Sequence, residues 1–247
     1  MLAKDYLNVI RGVLDRVEQT QMDKIVQAAD LIVASALAGG AWHLHDTGHL
    51  VSRELVHRAG GLLLVNALDF SFGVSDPVRM SEKRKPKSQV RGDRVVGLGE
   101  QVVRASNLVP GDVLTIGSVS GRNATTIDLA LAARDYGVKV IAVTSLAYSG
   151  SVTSTHPSGK RLFEAADLAI DNCGVLGDAA LDLPGLDTPF GPTSGIGAAM
   201  VCWCICAQVV EQLLALGHKP HLFRSANLDG GPEFNQKAEE EFKQTGI

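Results

Sequence analysis

Short apolar runs alternate with longer segments of helical periodicity along most of this chain. Residues 4–37 place Leu7, Ile10, Leu14 and Val17 at helical spacing and predict a long helical region, with a break near residues 20–23. Apolar runs at 42–44, 62–65, 113–116, 138–144 and 168–170 predict five strands. Helical patterns at about 50–58, 122–136 and 196–216 fall between or after them. Strands separated by helix-length segments imply right-handed crossovers, hence an α/β fold with a parallel, doubly wound sheet. Ligands of such sheets bind beyond the carboxyl ends of the strands. Three loops then converge: 46–49, 118–126 and 144–158.

The middle loop carries the most chemistry. The strand ending at Ile116 runs through Gly117-Ser118-Val119-Ser120-Gly121-Arg122-Asn123 into a helix. The first backbone N–H groups of a helix have no partner inside it and the helix dipole is positive there, so such a junction attracts a phosphate. Ser118, Ser120, Asn123 and Thr125 supply further donors, Ser120 reads as the N-cap, and Gly121 permits a left-handed turn or a close backbone approach. The segment has neither the Gly-x-Gly-x-x-Gly spacing of dinucleotide sites nor the Gly-Lys-Ser/Thr ending of a nucleotide P-loop. A small phosphorylated molecule fits better than a nucleotide, and no cofactor is expected.

Composition narrows the partners. A chain of 247 residues, 45% hydrophobic and 20% charged, can bury a full core. Its net charge of −4 gives no general attraction to nucleic acid or anionic membranes. The single marked charge run, 79–87 continued by Arg91 and Arg94, lacks interleaved aromatics and reads as a solvated loop or a lid. Gln208, Glu211 and Gln212 interrupt the apolar stretch 196–216, which reads as a core or interface helix and not a membrane span. Charges throughout residues 1–18 argue against a secretory signal, so the expected location is cytoplasmic. Cys173, Cys202, Cys204 and Cys206 read as buried thiols. His43 and His45 share one face of a strand and His49 follows, but packed histidines are the simpler reading, and no metal site is expected.

These segments carry a resemblance. Ser118-Val119-Ser120-Gly121-Arg122-Asn123, Val140-Ile141-Ala142-Val143-Thr144-Ser145 and His156-Pro157-Ser158-Gly159-Lys160 are similar to those of the sugar isomerase (SIS) domain family. Gly48-His49, Glu54 with Arg58-Ala59-Gly60-Gly61, Asp171-Asn172 and Ser225-Ala226-Asn227 resemble its single-domain phosphosugar-binding branch, of the UPF0309 type. The resemblance spans nearly the whole chain. It implies a three-layer, flavodoxin-like five-stranded sheet over 39–247 with an N-terminal helical extension over 1–38. It also implies a homodimer and a phosphorylated sugar or amino sugar held between the strand-end loops, with no nucleic acid or membrane as partner. Ser118, Ser120 and Asn123 would hold the phosphate, with Gly121 and Thr125 completing the cradle. Asp46 and Leu50 depart from the Gly-x-Gly-x-Ser pattern usual in the first loop, so Thr47, Gly48 and His49 stand in for the sugar contacts there.

The chemistry expected of such a site is aldose–ketose isomerisation, in which a base moves a proton between neighbouring carbons through an enediolate. Glu54, one and a half turns into the helix after the first loop, is the leading base, with Arg58 its partner at i+4. Glu82 is a second acid. His49 suits a proton shuttle because its pKa lies near neutrality. His156 and Lys160 reach toward a ligand from the third loop, across a subunit interface in one arrangement, and Thr144 and Ser145 sit at its start. A dehydratase or lyase acting on an amino-sugar 6-phosphate shares the first step. A non-catalytic phosphosugar sensor is the reading from another class.

Overall fold

The computed structural model describes residues 1–47, 51–73 and 94–247. The chain opens with helix α1 (Leu2–Leu37) and strand β1 (Trp42–Asp46). Then come α2 (Val51–Leu55), β2 (Val65–Ala67), α3 (Leu98–Ala105), β3 (Val113–Gly117), α4 (Ala124–Asp135) and β4 (Lys139–Thr144). Next are α5 (Leu146–Ser151), α6 (Leu162–Ala165), β5 (Leu168–Asp171), the pair β6 (Ala179–Leu181) and β7 (Phe190–Pro192), α7 (Ser194–Ala215) and α8 (Gly231–Thr245). The expected five-stranded sheet is present, in the order β2-β1-β3-β4-β5, and every pairing in it is parallel.

Side-chain alternation along these strands explains the three layers. On one face Trp42, Leu44, Val113, Ile141, Val143 and Ile170 join a core with α1 and α7. On the other, Leu114, Ile116, Val140 and Ala142 join a core with α3, α4 and α6. A strand buried on both faces reads as a continuous apolar run, which is why 138–144 was legible without a period. Each fully buried leucine or isoleucine here contributes about 1.5–3 kcal/mol. Glycine permits the tightest approach, since a Cβ on Gly197 of α7 would collide with the Asn172 carbonyl.

Two expectations about elements need correction, and one pair of strands lay outside them. The helical region is one uninterrupted helix of 36 residues, without a break at 20–23. There the Thr20 hydroxyl donates to the Arg16 carbonyl (2.6 Å) and buried Gln21 accepts from the Asp171 N–H (3.0 Å), so polarity in this stretch docks α1 on β5. The second strand begins later, at Val65, because Leu62 instead bridges antiparallel to Leu222. The β6–β7 pair was not expected, and its Phe190-Gly191-Pro192 is too short to carry an alternation.

The helix over 196–216 is α7. It is long and apolar enough, by length and composition, to cross a membrane. In this fold Gly197, Val201, Cys202, Ile205, Val209 and Leu213 form a buried stripe against α1 and the sheet. Burial pushes the Cys206 thiol up to about 12 and Cys202 further still, so both stay protonated at neutral pH. Asp178 fixes the start of α7. Its carboxylate accepts from the Ser194 N–H (2.7 Å), the Ser194 hydroxyl (2.7 Å) and the Thr193 N–H (3.0 Å).

Candidate functional site

Register brings the strand ends together. Asp46 pairs with Gly117, Gly117 with Val143, and Thr144 with Asp171, so the carboxyl ends of β1, β3, β4 and β5 make one edge. Against that edge lies a cleft of about 590 Å³ lined by residues of three segments: His45, Asp46 and Thr47 from β1 and its exit, Phe70, Ser71 and Phe72 following β2, and Asn123, Thr125 and Thr126 at the start of α4, with Leu98 of α3. The volume is that of a small-molecule site.

The α4 terminus differs in detail from its sequence reading. Asn123 is the N-cap in extended backbone (φ −69°, ψ 131°), and Ser120 is not. The reason lies in the two residues between. Gly121 takes φ +55°, its carbonyl accepts from the Leu162 N–H (2.7 Å), and the Arg122 carbonyl accepts from the Thr155 N–H (2.9 Å), which holds both out of the helix. A Cβ on Gly121 would press on the Ser149 and Thr144 hydroxyls, so this glycine serves packing as well as its left-handed turn. The Asn123 side chain makes no capping bond, and the Ala124 N–H is met by the Thr155 hydroxyl (3.0 Å). The Thr126 N–H has no hydrogen-bond partner among the described residues, and its residue lines the cleft. Thr125 is anchored below, its hydroxyl donating to the Val95 carbonyl (2.9 Å).

The remaining candidates separate. Ser118 lines a different, minute void of about 10 Å³ beside Ser194 and Gly195 of α7. Ser120 and Gly121 line neither space. Thr144 and Ser145 are fully buried, with hydroxyls donated to the Val119 carbonyl (2.9 Å) and the Gly174 carbonyl (2.6 Å), so they hold loops together instead of facing the cleft. Glu54 pairs with Arg58 (3.2 Å) and is not among the cleft-lining residues. His156 is tied to its own turn: Nδ1 accepts from the Ser158 N–H (3.1 Å), leaving Nε2 toward Asp128 at 3.7 Å. Lys160 is exposed next to that turn. Gly48, His49, Glu82 and the 79–87 charge run with Arg91 lie outside the described residues.

His45 and the Phe70–Phe72 run were not assigned to a ligand site from sequence. The His45 Nδ1 lies 2.9 Å from the Leu68 carbonyl, and its ring stacks on Phe70 with centroids 4.8 Å apart. Burial pushes its pKa below the ordinary 6.5, against the opposing pull of the Leu68 bond, Asp46 and Asp69. His43 faces Asp112 at the other end of the strand. The two histidines thus answer to separate partners, and among the described residues no group of three or more His, Cys, Asp or Glu is gathered for a metal ion. The period of 2 could have pointed to His45, since it puts this residue at the carboxyl edge of β1.

Sequence comparison bears on what this cleft is for. The profile of the SIS domain matches residues 5–145. The chain belongs to the SIS domain family. It is 35% identical over 244 residues to a UPF0309 protein of Streptomyces griseus, covering 98% of this chain and 95% of that protein. Among solved structures it resembles a phosphoheptose isomerase from Neisseria gonorrhoeae, with TM-score 0.51, 18% identity, and 85% and 97% of the two chains covered. It also resembles the Vibrio vulnificus NanR protein complexed with ManNAc-6P, with TM-score 0.51, 11% identity, and 98% and 68% covered. At these identities the likeness to solved structures is one of fold, and it agrees with the sheet order and layers described above.

Proposed function

We propose that this chain binds a phosphorylated sugar or amino sugar in the cleft at the carboxyl edge of the sheet and isomerises it between aldose and ketose forms. The observation that carries the reading is the start of α4, where the Asn123 side chain makes no capping bond, the Thr126 N–H meets no partner among the described residues, and both residues line a cleft of about 590 Å³. A phosphate there would accept from the Thr126 N–H and the Asn123 amide, in the positive field of the helix. Across the cleft, His45, Asp46 and Thr47 offer polar contacts for hydroxyls, and Phe70 and Phe72 an apolar wall. Support for a phosphosugar comes also from family membership and from the NanR protein complexed with ManNAc-6P.

For the proton transfer, Glu54 and His49 are the proposed groups on sequence grounds. A non-catalytic sensor is favoured by one observation: the Glu54 carboxylate is engaged by Arg58 and lies outside the cleft lining. A lyase or dehydratase acting on an amino-sugar phosphate would use the same first proton abstraction and then expel a substituent. A thermal-shift screen against glucose 6-phosphate, ribose 5-phosphate, sedoheptulose 7-phosphate and ManNAc-6P, followed by mass spectrometry, separates these readings. An isomerase stabilises and rearranges its ligand at constant mass, a lyase changes the mass, and a sensor returns the ligand intact. No stabilisation by any of the four would contradict phosphosugar binding.

We propose in addition that the protein is a cytoplasmic homodimer. The outward side of α7 supports the dimer, since Ile196, Met200 and Leu214 are exposed there at near-helical spacing, and Leu7 is exposed on α1. A mass measurement that finds monomer at every concentration would contradict it.

A further inference from the structure

We propose that His45 is a ligand-reading residue of the cleft, its Nε2 accepting a hydrogen bond from a hydroxyl of the bound sugar. The inference rests on the phosphosugar reading of the site and goes beyond it by naming the group that tests for a hydroxyl donor.

Three features of the geometry lead there. A carbonyl oxygen can only accept, so the 2.9 Å contact with the Leu68 carbonyl requires the His45 proton to sit on Nδ1. In the neutral ring Nε2 is then a bare acceptor. The ring cannot easily turn away, because Phe70 stacks on it at an interplanar angle of 22° and the residue is only 8% exposed. Finally, His45 lines the cleft, and its Nε2 makes no hydrogen bond among the described residues. The ring is held by burial and stacking, but this nitrogen is not among the buried unpartnered atoms, so it is open to the cleft and free to accept from a ligand hydroxyl.

Burial reinforces this assignment by disfavouring the imidazolium, while Asp46 and Asp69 oppose it. A cationic ring would donate from both nitrogens and attract the phosphate itself. A neutral ring with Nε2 bare instead distinguishes a sugar, which brings hydroxyl donors, from a phosphorylated molecule that brings only acceptors. The site would thus have two ends of different character: backbone and amide donors at α4 for the phosphate, and an acceptor on β1 for a hydroxyl.

The test is nitrogen NMR of the histidine rings in the full-length protein, with the Thr126 amide as an independent reporter. In the free protein His45 should appear as the Nδ1–H tautomer. Addition of each of the four phosphosugars, with inorganic phosphate as control, should move the Thr126 amide, and the sugar that binds should also move the His45 Nε2 resonance, which phosphate alone should not. His45→Phe should weaken sugar binding about tenfold without weakening inorganic phosphate, one neutral hydrogen bond being worth roughly that factor. His45→Gln, whose amide oxygen reaches a similar position, should recover part of the loss. If the Thr126 amide responds but Nε2 does not, or if His45→Phe binds the sugar unchanged, the role of His45 is overturned while the phosphosugar site stands. If no phosphosugar moves Thr126, both are overturned.

Discussion

His43 and His45 stand on the same strand, point to the same side of the sheet and are each 8% exposed, yet they sit in opposite chemical situations. His43 belongs to the amino edge. There Asp112, 1% exposed, accepts from the Ala41 N–H (2.8 Å) and the Val109 N–H (2.9 Å) and lies 3.3 Å from His43 Nε2. The Ser35 hydroxyl beside them donates to the Gly111 carbonyl (2.7 Å). Polar groups at this edge are spent on holding α1 and the β3 entry to the sheet. His45 belongs to the carboxyl edge, where its Nε2 and the Thr126 N–H meet no partner among the described residues and both residues line a cleft. Equal burial therefore says little about function. What separates the two edges is how many of their hydrogen-bonding groups the fold itself consumes.

Substitutions can break this contrast. Asp112→Ala should have the largest effect on stability, since it strands two buried backbone donors, and a loss of about 3–5 kcal/mol in urea unfolding is expected. A change under about 1 kcal/mol would mean that the amino edge is not structural in the way described. Asp178→Ala, which uncaps α7, should cost about 2–3 kcal/mol by the same assay.

Acid should sharpen the comparison at a smaller scale. The folded-state pKa of both His43 and His45 is pushed below 6.5 by burial, opposed by Asp112 at His43 and by Leu68, Asp46 and Asp69 at His45. The unfolded chain then binds more protons than the folded one just below pH 6.5, so stability contributed by these neutral rings is full above that pH and is lost as the pH falls toward the folded values. Melting temperatures measured downward from pH 7.5 should fall below about pH 6.5, and less steeply in His45→Phe. A flat profile would contradict the burial of neutral rings. Glu54→Gln should change stability least, by well under about 1 kcal/mol, because the Arg58 pair is largely solvated. Its informative readout is turnover. Loss of turnover with retained binding would make Glu54 catalytic despite its place outside the cleft lining, and an unchanged rate would remove it.

The sheet was legible because its strands are buried on both faces or bounded by helix-length gaps, which point to parallel crossovers, while the strand order itself was not read from sequence. That the N-cap of α4 is Asn123 and not Ser120 was not recoverable from sequence, since the carbonyls of Gly121 and Arg122 are engaged by Leu162 and Thr155, residues more than thirty positions away. Thr144 and Ser145 had the right residue types at the right strand end, but their hydroxyls are used by Val119 and Gly174. Asn123, Thr125 and Thr47 do line the cleft, whereas Phe70 and Phe72 follow a strand whose register slipped in the sequence reading. Sequence thus located the edge that carries the cleft more securely than it told apart the groups on that edge that the fold consumes.

The most direct test of the account is a backbone amide titration of the nitrogen-labelled protein with the four phosphosugars. Binding at the carboxyl edge predicts shifts at Thr47 and Thr126 with Ala41 and Val109 unmoved. Shifts centred on the amino edge, or none at either edge at millimolar ligand, would contradict it.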